Sequence, residues 1–95
     1  MTEEPKIIVW TKPACVQCRL VKNRLAAAGV PFVEADLTAP ESAADLEHFR
    51  GLGYQSAPIT EYGGTAFPGF MPAEVDRVIA EWRAAHPVTE PEVRA

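Results

Sequence analysis

The sequence has only two cysteines, Cys15 and Cys18, separated by Val16 and Gln17. A framework of several disulfides is therefore excluded, and any sulfur chemistry belongs to this one pair. Long apolar runs are also missing: nothing approaches the roughly 18 to 20 residues that a membrane-spanning helix needs. No membrane association is expected. Nor is there a stripe of Lys and Arg able to neutralise a row of phosphates, and 9 basic against 13 acidic residues leave a formal charge of −4. Nucleic acid is not an expected partner. The opening Met1-Thr2-Glu3-Glu4-Pro5 has neither the basic nor the apolar region of a secretory signal, so the expected location is the cytoplasm. There, thiol systems keep a lone Cys-x-x-Cys reduced, which favours a catalytic or metal-binding role over a structural disulfide.

What is present is a regular alternation of elements. At 95 residues the chain suits one domain, expected over residues 1–85, with a frayed, proline-bearing tail over 86–95. Residues 6–11 form a short β-branched run without alternation, the pattern of a central strand covered on both faces. From residue 16 to 28, Cys18, Val21, Leu25 and Ala28 recur at helical spacing, and Gly29 ends that helix. Residues 31–37 read as a second strand. Thr38-Ala39-Pro40-Glu41 has the form of a capping box opening a second helix to about Arg50, with Gly51 and Gly53 as the stop. Residues 57–62 and 65–67 are two short strands joined by Gly63-Gly64, a tight hairpin. Pro72 suits the first position of a third helix, with Glu74 and Asp76 near its start and Val75, Val78, Ile79 and Trp82 on one apolar stripe.

The order βαβαββα places the cysteines where the first strand turns into the first helix. There the unpaired N–H groups and the positive end of the helix dipole stabilise a thiolate at Cys15, the expected nucleophile. Cys18, one turn on and deeper, is the expected resolving thiol, and a one-turn separation is compatible with a disulfide. Lys12 adds positive charge beside the thiolate, and Pro13 stiffens the turn. His48 and His86 stand at none of the usual zinc spacings from the cysteines, so both are expected at the surface and no metal is expected. Arg19, Lys22 and Arg24 are expected as a solvated helix face, able to steer an acidic partner.

The element order and the placement of the pair resemble the thioredoxin fold in its glutaredoxin-sized form, an α/β fold with a four-stranded mixed sheet flanked by three helices. The likeness covers roughly residues 6–85. Thr11-Lys12-Pro13-Ala14-Cys15-Val16-Gln17-Cys18, then Gly53-Tyr54, Ala57-Pro58 and Gly69-Phe70-Met71-Pro72, resemble the NrdH-type redoxins, with Val16-Gln17 the most specific element. The resemblance implies a dithiol–disulfide oxidoreductase acting as electron donor to ribonucleotide reductase. It would be reduced by thioredoxin reductase, using NADPH only indirectly and needing no cofactor of its own. A monomer is expected. The resemblance further implies that Pro58 is cis and faces the cysteines, leaving the Ala57 backbone for an incoming chain. Where the family has Trp-Ser-Gly-Phe this chain has Phe67-Pro68-Gly69-Phe70, so Phe67, Gly69 and Phe70 are expected on the partner surface. A glutathione-dependent glutaredoxin is the first alternative, although the glutathione-binding Gly-Gly-x-Asp pattern is unmatched. The second is an iron–sulfur module in which Cys15 of two chains and external thiols hold a cluster.

Overall fold

The computed structural model describes residues 6–86. β1 (Ile8–Thr11) lies at the centre of a four-stranded sheet of order β2-β1-β3-β4. β2 (Val33–Asp36) runs parallel to β1, and β3 (Ile59–Tyr62) runs antiparallel to it with Trp10 opposite Ile59. β4 (Thr65–Pro68) completes the hairpin with β3. Gly63 and Gly64 both take positive φ, 60° and 88°, which is what a two-residue turn matching the twist of the strands requires.

The helices divide the sheet into two sides. α1 (Val16–Ala27) and α3 (Pro72–Ala85) cover one face, where Ile7, Val9, Val21, Leu25, Phe67, Val75 and Val78 form the larger core. α2 (Ala43–Gly51) covers the other, packing Phe49 against Trp10 and Leu37. Because β1 supplies Val9 to one side and Trp10 to the other, its sequence is apolar without alternation. Three helices on a four-stranded mixed sheet in the order βαβαββα are the thioredoxin-like fold the sequence resembled.

The expected capping box is not formed. Asp36 Oδ1 accepts both the amide and the hydroxyl of Thr38, at 2.8 and 2.6 Å, so the Thr38 side chain is bound backwards. The chain then makes a 3₁₀ turn over Pro40–Ser42 before α2 begins, and the Ser42 hydroxyl donates to Asp36 O at 2.8 Å. A local Asx-type contact outcompeted the cap because Asp36 is only two residues away. Two further expectations are corrected by burial. Phe67, placed on the partner surface, is only 6% exposed: it sits opposite Thr60 in the hairpin register and shares that strand face with α1 and α3. His86, placed at the surface, is half-buried and stacks on Trp82 with ring centres 4.2 Å apart. His48 is exposed as expected. The tail over 87–95 lies outside the described residues.

Candidate active site

Cys15 is the N-cap of α1, and its sulfur accepts the Cys18 amide N–H at 3.1 Å. The two cysteines are disulfide-bonded, with Cα atoms 5.3 Å apart. No acidic residue occupies the first turn of α1, so nothing on the helix itself offsets the positive end of its dipole there. Cys15 is half-buried, whereas Cys18 is only 2% exposed, enclosed with Trp10, Leu37, Phe49, Ala57 and Ile59. The pair is therefore asymmetric, one sulfur reachable and one sealed by apolar groups.

Across from the pair, the Ala57-Pro58 bond is cis, and the Ala57 carbonyl oxygen lies 4.0 Å from Cys15 Sγ. Pro58 is buried, and its carbonyl accepts the Gly69 amide at 2.8 Å, which draws the loop ahead of α3 toward the site. Gln17, between the cysteines, holds the same loop: its Oε1 accepts the Phe70 amide at 3.3 Å. A Cβ on Gly69 would stand 3.6 Å from that oxygen, an ordinary contact, but the positive φ of 76° is what favours glycine there. Of the expected partner surface, Gly69 and Phe70 are thus next to the site while Phe67 is not. Pro68 and Met71 join them, half-buried and exposed respectively.

The approach to α1 shows a feature the sequence did not signal. Ala14 has φ 55°, the left-handed region, which costs a residue with a Cβ about 1 kcal/mol or more. Glycine or asparagine would have announced it, and alanine does not. Lys12 and Pro13 are exposed and line an open cleft with Thr11, Glu34 and Asp36. Within it, Glu34 Oε2 accepts from Lys22 Nζ at 2.9 Å and from the buried Thr11 hydroxyl at 3.1 Å. The Lys22 contact foremost holds the Glu34 carboxyl below its ordinary pKa, and the Thr38 hydroxyl and amide do the same to Asp36. Trp10 Nε1 donates to Glu61 Oε1 at 3.1 Å, orienting the aromatic against which the site is built. That contact was hidden in the sequence because it depends on the β1–β3 register.

The expected basic face also resolves differently. Lys22 is taken by Glu34, and Arg24 makes a two-pronged pair with Asp76 on α3, both bonds 2.8 Å. Arg19 alone of the three enters no ion pair among the described residues.

Comparison with known proteins matches these features. The glutaredoxin family model fits residues 7–66. The chain is 29% identical over 79 residues to an N-acetyl-S-hydroxy-L-cysteine reductase of Bacillus subtilis, covering 82% of this chain and 84% of that protein. It is likewise 29% identical over 72 residues to the glutaredoxin-like protein NrdH of Lactococcus lactis, covering 76% of this chain and 97% of that one. Among solved structures, the NrdH-redoxin of Escherichia coli superposes with a TM-score of 0.67 at 28% identity, over 76% of this chain and 92% of its own. The chain belongs to the glutaredoxin family, as a thiol–disulfide oxidoreductase of the NrdH-redoxin type.

Proposed function

We propose that the protein is a dithiol electron donor to ribonucleotide reductase, with Cys15 as nucleophile and Cys18 as resolving thiol, and that thioredoxin reductase recharges it from NADPH. The observation that carries this reading is the asymmetry of the pair: a reachable Cys15 sulfur receiving an N–H at the helix start, and a Cys18 sealed behind it. The Cys15 thiolate attacks one sulfur of the partner's disulfide. That S–S bond breaks, the partner's departing sulfur takes a proton, and a mixed disulfide forms. Cys18, deprotonated as it attacks, displaces the partner's second sulfur from Cys15. Two electrons have then passed to the partner, and the chain is left as the Cys15–Cys18 disulfide. The exchange itself calls for no bound cofactor. Thioredoxin reductase as the source of electrons is supported by the likeness to NrdH proteins and by the absence of the Gly-Gly-x-Asp pattern after the hairpin.

The test is to mix the oxidised protein with NADPH and either thioredoxin reductase or glutathione plus glutathione reductase, and to follow NADPH loss. Turnover with thioredoxin reductase is expected, and turnover with glutathione alone overturns the assignment. The likeness to the Bacillus subtilis reductase supports a second reading, in which Cys15 attacks the sulfur of a small S-hydroxy-cysteine and expels water before Cys18 resolves the mixed disulfide. Adding that compound as the acceptor in the same assay separates the two.

A further inference from the structure

α1 shows two stripes. Cys18, Val21 and Leu25 face inward and are buried. Val16 and Leu20, one turn apart, face outward at 62% and 41% exposure, and Arg19 lies between them in sequence. The Arg19 amide donates to the Cys15 carbonyl at 3.2 Å, so Arg19 stands one helical turn beyond the nucleophile. Among the described residues nothing buries Val16 or Leu20, although they are apolar residues on a short helix. At positions i and i+4 they form one continuous apolar patch rather than scattered exposure.

The cations nearby differ in whether they are already paired. Lys22 and Arg24 are neutralised by Glu34 and Asp76, while Asp36 keeps its negative charge in the cleft it lines with Lys12, hydrogen-bonded by Thr38. Lys12 and Arg19 enter no ion pair among the described residues, and the positive end of α1 lies between them. A chain of net charge −4 thus keeps two unpaired cations, Lys12 and Arg19, on either side of the reactive sulfur in sequence. Such a local field favours the approach of a negative segment and repels a positive one.

We propose that the outward stripe Val16, Arg19 and Leu20 is a docking track for the segment carrying the substrate disulfide, and that it selects a segment pairing an apolar residue with an acidic one. This rests on the oxidoreductase reading and names the chemistry of its partner. The apolar residue lies on Val16 and Leu20, the carboxylate meets Arg19, and the disulfide reaches Cys15 one turn up.

The experiment uses the full chain with two synthetic peptide disulfides, identical except for Asp or Lys flanks, and hydroxyethyl disulfide as a neutral small substrate. The acidic peptide is expected to be reduced about fivefold faster than the basic one, a difference that shrinks as salt screens it. Arg19→Glu inverts this preference. Leu20→Gln lowers both peptide rates relative to the hydroxyethyl disulfide rate. Equal rates for the two peptides, or a preference that Arg19→Glu leaves in place, overturn the proposal while the oxidoreductase reading stands. If none of the three disulfides is reduced, it is the oxidoreductase reading that fails.

Discussion

Cys15 and Cys18 are the same residue type in different surroundings, and the surroundings set their chemistry. Cys15 receives an amide N–H at the open end of a helix, a condition that favours the thiolate, whereas Cys18 lies among apolar side chains that disfavour charge. On the proposed division of roles, Cys15→Ser abolishes disulfide reduction, while Cys18→Ser retains the attack and traps a mixed disulfide visible by mass spectrometry. Full dithiol activity in the Cys18 variant would overturn the assignment. Thr60 presents a different residue-scale imbalance. It is fully buried on the α1–α3 side of the sheet, and its hydroxyl has no hydrogen-bond partner among the described residues. Thr60→Val keeps the shape and removes the unpaired group, so it is expected to stabilise the protein by about 1 kcal/mol, read from the urea midpoint. The pairing Cys-Val-Gln-Cys was legible as redox chemistry. The left-handed Ala14 and the Gln17 bond to Phe70 were not, because neither residue type announces such a role.

Among the elements, α1 joins the site to the core. Its first turn holds the sulfurs, and its later turns bury Val21 and Leu25 against β1 and α3. Leu25→Ala leaves a cavity in a fully buried position and is expected to cost about 3 kcal/mol by chemical denaturation. Periodicity located α1 and α3 to within a residue, since their apolar stripes are continuous. Gly63-Gly64 located the hairpin, because few other residues accept two successive positive φ values. The entry to α2 differs from the expected capping box for an equally local reason: Asp36, two residues back, accepts both the amide and the hydroxyl of Thr38 that the cap would use. Phe67 was misplaced because a four-residue edge strand carries too little alternation to say which face is inward.

For the whole molecule, ion pairs tie elements distant in sequence. Lys22–Glu34 links α1 to β2, and Arg24–Asp76 links α1 to α3. Glu34, Asp36 and Asp76 have carboxyl pKa values lowered by Lys22, Thr38 and Arg24 respectively. A carboxyl more acidic in the folded than in the unfolded chain adds stability above its unfolded pKa. That contribution is lost as pH falls through the folded value. The thermal midpoint is therefore expected to be insensitive to these groups at neutral pH and to drop as pH goes below about 4. Asp76→Asn should flatten part of that acid-side drop, and an unchanged profile would show that the Arg24 pair contributes nothing to it.

By itself the sequence determined the element order, the position of the cysteines at a strand-to-helix turn and the apolar stripes. Each of these depends on neighbours within a turn or two, and local spacing records such neighbours. Only the tertiary structure decided which sulfur is sealed, which cations are already paired, that Phe67 faces the core and that Gln17 reaches Phe70. Those facts depend on pairing register and on contacts between residues up to 53 positions apart, which residue types alone do not encode.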